Sequence, residues 1–305
     1  MPKAYVFTRY GGPEVEAFAD VERPVPGPGQ VLVAVRAAGV NPVDWKQREG
    51  HLAQIVPVEF PAVFGREVSG VVEQTGDGVT EFAAGDAVFG NTVAGGFARY
   101  ALLPRELTAR KPDGLSFADA ATLPVAAATA YDGVRQLGLP AGATLLITGV
   151  GGGVGVAAAQ IARHTGVTVI GTAGSGKKDF VESLGVVHVE PGPGVADRIR
   201  AAAPDGVDAV YDLVGGAALE EAAEVLKDRS KLISAADGET VTRLGGSLVL
   251  RARDRATLEA VADLAASGAL RPYVTRTFPL AQAPEALRAV EDGHARGKIV
   301  IEVDA

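Results

Sequence analysis

The sequence predicts an α/β protein in which a doubly wound parallel sheet is joined to a second, mostly β domain. Three observations support this fold class. Apolar runs alternate with helical stretches from residue 144 onward, which is typical of a parallel sheet covered by helices. A glycine-rich turn links the first of these runs to a helix. Before them, valine-rich runs punctuated by glycine and proline fill the N-terminal part of the 305 residues, a length that allows two domains.

The N-terminal part consists of short β-type runs separated by turn residues. Proline and glycine alternate near residues 24–29, and Asp77-Gly78 and Gly85-Asp86 mark later turns. This pattern predicts a compact, mostly β domain of roughly 100–120 residues, which is an ordinary domain size. The predicted strands are 3–8, 30–38, 68–74, 87–89 and 96–103.

The pattern changes near Ser116. This serine, with Asp119 three places on, has the form of a helix N-cap. Alanine-rich helical sequence continues to residue 137, with Pro124 as the expected break. Beyond it, strands are predicted at 144–149, 167–172, 187–190, 208–213 and 231–235, and helices at 155–164, 177–184 and 220–226. The C-terminal part predicts a helix at 257–267, a strand at 274–278, a helix at 284–292 and a strand at 298–303.

The glycine-rich turn directly follows the strand at 144–149 and opens the next helix. Glycine permits the tight reversal, and it lets a pyrophosphate approach bare backbone N–H groups at the helix N-terminus. The spacing departs from strict G-x-G-x-x-G because the third glycine position falls on a valine, so an ordinary turn without a ligand is the alternative. The strand–helix context favours a dinucleotide site. Its predicted contact residues are Gly149, Gly151, Gly152, Gly153, Val154 and Gly155.

The end of the second strand indicates which dinucleotide binds. NAD-binding folds place an Asp or Glu about 20 residues after the glycines to hold the ribose 2′-hydroxyl. Here no carboxylate occurs before Asp179, and two lysines precede it, which suits a 2′-phosphate. A solvated helix start is the alternative role for the lysines. NADPH is therefore the predicted cofactor, with predicted contacts at Thr172, Ser175, Lys177 and Lys178.

Composition argues against several other classes. The absence of cysteine rules out disulfides, thiolate metal sites and a cysteine nucleophile. A net charge of −8 without a basic patch argues against nucleic acid as a partner. No apolar run approaches the roughly 18 residues of a membrane span, and no signal-peptide pattern is present. We therefore expect a cytoplasmic protein without a membrane partner.

Blocks of sequence occur in a set order along nearly the whole chain: AAGVNPVDWK (37–46), FGREVSGVV (64–72), GDAVFG (85–90), GGFARY (95–100), AATLP (120–124), TAY (129–131), GGVG (152–155), DLVGG (212–216) and GKIV (297–300). Together they resemble the zinc-free quinone oxidoreductase branch of the medium-chain dehydrogenase/reductase superfamily. The resemblance implies a GroES-like domain formed by residues 1–117 and 247–305, with a Rossmann domain at 118–246 inserted into it. It also implies an active site in the interdomain cleft, a homodimer, and hydride transfer from NADPH to a quinone or an activated C=C bond.

The resemblance further implies individual site residues. The catalytic candidates are Asn41, Asp44 and Thr129. From the residues alone, Asn41 is a common turn residue before proline, Asp44 suits a bond to the cap of the same turn, and Thr129 suits helix packing. These structural roles stay open beside the catalytic ones. Three further residues join the predicted cofactor contacts: Asp212, Val214 and Lys298.

No metal site is predicted. The zinc enzymes of the superfamily have Cys and His ligands near the positions of Val40 and Arg66, and this sequence offers neither there. Arg66 is expected to form a structural ion pair with Glu67 or another acid, and a place in the cleft lining is the alternative. Trp45, the single tryptophan, suits the core or the cleft wall and equally a platform for the substrate.

Two other functions stay open. Related enoyl-thioester reductases use a tyrosine shortly after the Asn-x-x-Asp segment; residues 47–52 contain none, and His51 is the alternative proton donor there. A non-catalytic NADPH-binding protein, structural or regulatory, would keep the glycines and lose the cleft. The sequence leaves open the electron acceptor, the proton donor and the choice between one- and two-electron reduction.

Overall fold

The structure is a computed structural model that describes residues 3–93, 95–293 and 295–304. The chain separates into two compact units. Unit 1 comprises Met1–Val125, Arg253–Ala266 and Pro272–Ala305, and unit 2 comprises Ala126–Ala252 and Ser267–Arg271. Both ends of the chain thus belong to unit 1. The limits of these units lie a few residues beyond the domain limits predicted at 117 and 246.

Strands and helices are numbered in chain order. The strands are β1 (Lys3–Phe7), β2 (Glu16–Asp20), β3 (Gln30–Val40), β4 (Ala62–Val63), β5 (Glu67–Thr75), β6 (Ala87–Asn91), β7 (Tyr100–Pro104), β8 (Thr108–Arg110), β9 (Thr144–Thr148), β10 (Thr168–Thr172), β11 (Val187–Val189), β12 (Ala209–Asp212), β13 (Leu232–Ser234), β14 (Ser247–Leu248), β15 (Val274–Pro279) and β16 (Lys298–Glu302). The α-helices are α1 (Pro42–Arg48), α2 (Phe117–Ala120), α3 (Ala128–Leu137), α4 (Gly153–His164), α5 (Lys178–Ser183), α6 (Val195–Ala202), α7 (Gly216–Glu224), α8 (Gly238–Arg243), α9 (Arg255–Ala266) and α10 (Ala283–Glu291). Within the described residues, no helix has both the length and the apolar character needed to cross a membrane.

Unit 1 is built on mainly antiparallel sheets, as its valine-rich alternating strands favour. The strand β3 is central and pairs antiparallel with β5, β7 and β16. The larger sheet runs in the order β15-β16-β3-β5-β6-β8, and a smaller sheet has the order β2-β1-β4. Because β16 pairs with β3, the C-terminal segment completes the N-terminal sheet. Valine, phenylalanine and leucine side chains from both ends of the chain share one core.

Unit 2 contains a parallel sheet with the strand order β11-β10-β9-β12-β13-β14. Its strands, taken in chain order, follow the 3-2-1-4-5-6 arrangement of a doubly wound Rossmann sheet. The first strand, β9, has β10 on one side and β12 on the other, so the chain winds in opposite directions from it. The crevice at the carboxyl ends of these strands is where such sheets bind ligands. The candidate dinucleotide site lies at the carboxyl ends of β9 and of its neighbours β10 and β12.

Most elements predicted for unit 2 are confirmed, with limits shifted by a few residues. The helix predicted to run up to residue 137 is divided into α2, a π-helical turn at Leu123–Ala127 and α3. Pro124 lies in the π-turn, and it breaks the regular helix because it has no N–H to donate. Ser116 is confirmed as the N-cap of α2, where its Oγ accepts the Asp119 N–H at 3.0 Å.

Several short elements are not predicted by the sequence pattern. These are β2, β4, β8, β14, α1, α6 and α8. The strand predicted at 96–103 is wrong in its first half, since β7 begins at Tyr100. Gly95 has a φ of 73° and the Gly96 N–H donates to the Phe64 carbonyl at 2.7 Å, so this stretch is held as a turn. Short segments of this kind depend on tertiary contacts more than on local propensity.

Candidate functional site

The glycine turn between β9 and α4 leaves backbone uncovered. Gly149 has a φ of 66°, in the left-handed region that favours glycine. A Cβ added at Gly155 would lie 2.6 Å from the Cα of Val150 and 2.7 Å from its carbonyl oxygen, so α4 packs directly on the turn. At Gly152, the N-cap of α4, a Cβ would meet nothing closer than 3.5 Å. No described side chain caps this helix, so its N-terminus can receive an anion.

Lys177 lies over this turn. A Cβ added at Gly151 would be 2.7 Å from Lys177 Cδ, so the aliphatic part of the lysine passes across the glycine backbone. Lys178 is exposed, and its Nζ lies 3.9 Å from Glu182 Oε1 on the same helix, α5. The structure therefore separates the two lysines of the predicted site, and it places Lys177 at the glycine turn.

Thr172 and Ser175, at the end of β10, also differ in their surroundings. Thr172 is buried, and its Oγ1 accepts the Gly149 N–H at 3.3 Å, so this threonine braces the turn. Ser175 is exposed and begins the short 3-10 turn Ser175–Lys177. The predicted contacts of both hydroxyls with a cofactor stay predictions.

Asp212 is fully buried at the end of β12, and both of its carboxylate oxygens accept hydrogen bonds. Oδ1 accepts from the Thr148 hydroxyl at 2.6 Å and from the backbone N–H groups of Val214 and Gly215. Oδ2 accepts from the Ser234 hydroxyl at 2.6 Å. The carboxylate thus ties together the carboxyl ends of β9, β12 and β13. The predicted contact of Asp212 with a cofactor stays a prediction, and bracing is the role that the structure gives it.

Val214 reaches the glycine turn from the other side. Its side chain is 55% exposed, and a Cβ added at Gly149 would lie 2.9 Å from Val214 Cγ2. Val214 and Lys177 therefore approach the turn from the segments that follow β12 and β10. Val214, Lys177 and Gly149, which are all predicted cofactor contacts, therefore lie at one edge of the sheet.

Thr129 lies buried at the start of α3, where other residues of unit 2 hold it. Its hydroxyl accepts a hydrogen bond from the Arg251 guanidinium, and its carbonyl accepts the Tyr211 hydroxyl at 2.8 Å. Asp132, one turn later, accepts from Arg251 Nε at 3.1 Å and from the Ala252 N–H at 3.1 Å. The sequence pattern does not predict the pair formed by Arg251 and Asp132. A carboxylate within an alanine-rich helix is the sequence signal that points to it.

Asn41, at the end of β3, belongs to a buried polar cluster in unit 1. Its Oδ1 accepts from the Lys298 ammonium at 2.6 Å, and its Nδ2 donates to Glu67 Oε1 at 2.7 Å. Lys298 Nζ also donates to Glu67 Oε1 at 2.9 Å and to the Val40 carbonyl at 3.0 Å. The ammonium therefore donates to three oxygens within unit 1. The predicted cofactor contact of Lys298 stays a prediction, while the observed contacts orient the Asn41 amide.

Glu67, which the sequence suggests only as a partner for Arg66, belongs to this cluster. Its Oε2 accepts the Val125 N–H at 2.7 Å, and its other oxygen pairs with Lys298. The predicted structural ion pair of Arg66 is wrong, because Arg66 forms no ion pair in the part of the chain that the structure describes. Burial lowers the pKa of Arg66, and the nearby charge of Asp44 opposes that shift.

Asp44 lies in the first turn of α1 and is only 2% exposed. Its Oδ2 accepts the Asn41 N–H at 2.8 Å, which confirms the predicted bond to the cap of this turn. Its Oδ1 has no hydrogen-bond partner among the described residues. Burial raises the pKa of Asp44 to about 7, against the opposing effects of the Asn41 N–H and the charge of Lys298. The neighbouring Trp45 is half-buried against the core of unit 1.

Comparisons with known proteins match this architecture. Residues 27–113 match the family model of the alcohol dehydrogenase GroES-like domain, and residues 184–301 match that of zinc-binding dehydrogenase. The chloroplast envelope quinone oxidoreductase homolog of Arabidopsis thaliana is 31% identical over 98% of each chain. The chloroplastic NADPH-dependent alkenal/one oxidoreductase of the same plant is 31% identical over 98% of this chain and 79% of its own. The structure of the quinone oxidoreductase from Coxiella burnetii has a TM-score of 0.89 at 30% identity and 99% coverage of both chains.

Proposed function

The chain belongs to the quinone oxidoreductase-like branch of the medium-chain dehydrogenase/reductase superfamily, and from this premise we propose that it is an NADPH-dependent reductase of quinones or α,β-unsaturated carbonyl compounds. The predicted fold class, a Rossmann sheet with a GroES-like mostly β domain, is confirmed. The observation that carries the proposal is the open backbone at Gly152, next to Gly151, which Lys177 covers, at the strand ends of a doubly wound sheet.

The residues around the glycine turn fit a dinucleotide phosphate. Gly152 presents backbone without a side chain, and the N-terminus of α4 favours an anion. NAD-specific folds place a carboxylate near the end of this strand. This chain has Lys177 there instead, and its positive charge suits a 2′-phosphate. Ser175 and Lys178 are proposed as further contacts at the same end. When bound, NADPH supplies a hydride, and the protein supplies position and a dry surrounding.

The residues proposed to contact the acceptor are Asn41, Asp44 and Thr129. Asn41 is oriented by Lys298 and Glu67, and Thr129 receives a hydrogen bond from the Arg251 guanidinium. Groups that are already held in this way lose little entropy when they contact a substrate, which supports a role in alignment. Reduction of a quinone needs mainly such alignment, because its oxygens can take protons from water.

We propose that the reaction does not use zinc. The sequence has no cysteine, and Val40 and Arg66 occupy the region of the zinc ligands in related enzymes. The described residues contain no group of three or more His, Cys, Asp or Glu side chains suited to a metal ion. Activity that survives extended dialysis against EDTA is expected, and loss of activity that zinc restores would overturn this part of the proposal.

The proposed function is tested by NADPH oxidation in the presence of different acceptors. We expect turnover with 9,10-phenanthrenequinone, with 1,4-benzoquinone or with 2-alkenals. Turnover restricted to enoyl thioesters would identify an enoyl-thioester reductase instead. Tight NADPH binding without turnover of any acceptor would support a structural or regulatory NADPH-binding protein and overturn the enzyme proposal.

Replacing Lys177 by alanine is expected to weaken NADPH binding about 10- to 100-fold, because a charge-assisted hydrogen bond to the 2′-phosphate is lost. NADH binding should change little, since NADH has no 2′-phosphate. Fluorescence titration with both nucleotides measures the two dissociation constants. Lys178→Ala is the matched control and should weaken NADPH binding less than Lys177→Ala does, because the Lys178 ammonium lies 3.9 Å from Glu182 Oε1 on α5 while Lys177 crosses the glycine turn. Equal weakening of NADH and NADPH by Lys177→Ala would refute the assignment.

We propose a cytoplasmic homodimer, with the edge strand β14 at the subunit interface. β14 ends the sheet of unit 2, and Leu248 and Leu250 beside that edge are 49% and 73% exposed. A strand at a sheet edge that carries exposed apolar side chains favours association with another chain. Leu250→Asp is expected to shift the mass measured by light scattering from dimer to monomer. A dimer that persists in this variant, or a monomeric wild type, would contradict the proposed interface.

A further inference from the structure

We propose that Asp44 supplies the proton that completes reduction of an α,β-unsaturated carbonyl compound. This inference rests on the proposed function and assigns a step that it leaves open. Hydride addition at the β carbon breaks the C=C π bond and leaves an enolate. The enolate electron pair then takes the proton from the Asp44 carboxyl, which forms the C–H bond at the α carbon. Water returns a proton to the carboxylate that remains.

The geometry of Asp44 leaves one oxygen for this purpose. Oδ2 is held by the Asn41 N–H at 2.8 Å, which sets the orientation of the carboxyl group. Oδ1 is buried and has no hydrogen-bond partner in the described chain. A buried polar atom without a partner costs stability, so its presence calls for a specific explanation. A proton donor that awaits its acceptor provides one.

The charges that face Asp44 suit an acid that must give up its proton and take it back. Lys298 faces it from β16, Glu67 from β5, and Arg66 from the residue before β5. Burial dominates and raises the pKa of Asp44 to about 7, which keeps the neutral form populated at neutral pH. Once the proton has left, Lys298 and Arg66 stabilise the carboxylate. An acid with a pKa close to the working pH is the most effective proton donor.

His51 is a weaker candidate for the same task. Its side chain is 58% exposed and lies 3.5 Å from Glu49 Oε2. A histidine in contact with water needs no special site to exchange protons, and its position sets no orientation. The carboxyl of Asp44 is both buried and oriented, and it lies three residues from Asn41 on the same turn.

The kinetic test compares turnover of a 2-alkenal with turnover of 1,4-benzoquinone from about pH 5 to about pH 9. This range extends to both sides of the raised pKa of Asp44. For wild type, kcat/KM with the alkenal should be constant at low pH and fall tenfold per pH unit above about pH 7, because the donor must be protonated. Asp44→Asn should lower alkenal turnover at low pH by about 100-fold or more, and this loss should be much larger than any loss of quinone turnover, because only the alkenal needs the proton. Asp44→Glu, which keeps the acid, should recover part of the alkenal turnover.

Asp86→Asn is the matched control. Asp86 Oδ2 also accepts a backbone N–H three residues earlier, at 2.8 Å, but Asp86 pairs with Arg110 near the surface. That variant should leave both activities unchanged. Infrared spectra give a readout that does not depend on turnover: wild type should show a protonated carboxyl band that Asp86→Asn keeps and that disappears with a midpoint near pH 7. The infrared titration and the pH profile of the wild type test the proposal even if Asp44→Asn does not fold.

Three results would overturn the proposal. They are full alkenal turnover in Asp44→Asn, the absence of a carboxyl band that titrates near neutral pH, and a wild type that reduces quinones but no alkenal. In each of these cases the proposed quinone reductase function still stands. A wild type that reduces neither acceptor overturns the proposed function itself.

Discussion

Replacing Lys298 by methionine is expected to lower the free energy of unfolding by about 3–5 kcal/mol, the usual cost of removing one partner from a buried ion pair. Lys298 Nζ lies 2.9 Å from Glu67 Oε1, and the two side chains are 7% and 0% exposed. Methionine keeps most of the volume of lysine, so the loss arises because the Glu67 carboxylate stays buried without its cation. Urea unfolding at neutral pH measures the difference.

An exposed ion pair provides the control for this prediction. Lys227 Nζ lies 3.2 Å from Asp208 Oδ1, and these side chains are 53% and 39% exposed. Lys227→Met should therefore cost less than about 1 kcal/mol. The double variant Lys298→Met/Glu67→Gln should recover part of the loss, because the buried charge is removed together with its partner. Equal losses in Lys298→Met and Lys227→Met would show that the buried cluster does not stabilise unit 1.

Replacing Gly152 by alanine is expected to weaken NADPH binding about 100-fold or more while changing the free energy of unfolding by no more than about 1 kcal/mol. The added Cβ meets no protein atom closer than 3.5 Å, so the protein alone accommodates it. The same Cβ occupies the space through which a pyrophosphate reaches the backbone at the start of α4. Calorimetric titration with NADPH and urea unfolding separate the two effects.

Two other glycines make this test specific. Gly155→Val should lose both stability and NADPH binding, since its Cβ would lie 2.6–2.7 Å from backbone atoms of Val150, which cannot move aside cheaply. Gly176→Ala should lose neither, because a Cβ there meets nothing within 4 Å. If Gly152→Ala bound NADPH normally, the proposed position of the cofactor phosphates would be incorrect.

The glycine turn could be predicted because its signal is local. A buried strand, the glycines of residues 149–155 and a helix of small residues follow one another without a gap, so consecutive residues determine the geometry of the turn. The same holds for the N-cap at Ser116 and for the bond between Asp44 and the Asn41 N–H, each of which spans three positions. The limits of several helices and strands differ from the predicted ones, because helix ends and short strands depend on neighbours that are distant in sequence.

The buried cluster of unit 1 could be predicted only in part. Asn41 and Lys298 are recognisable from the blocks that surround them, yet their contact joins residues 257 positions apart. Glu67 directly follows Arg66, but Arg66 lies before β5 begins and forms no ion pair among the described residues, so adjacency in sequence does not predict the partner of Glu67. The observed partner of Glu67, Lys298, becomes available only when β16 pairs with β3. Arg251 and Asp132 are brought together in the same way, across 119 positions.

The sequence by itself determined the fold class, the place of the dinucleotide turn and the family, because periodicity, glycine spacing and ordered blocks are properties of neighbouring residues. Only the tertiary structure decided which polar groups are buried together. It showed that Lys298 and Glu67 both hold the Asn41 amide, that Lys177 and not Lys178 lies over the glycines, and that Asp44 keeps an oxygen without a partner in the described chain. The physical reason is that burial and pairing of charge depend on which distant strands meet, and no local pattern encodes that.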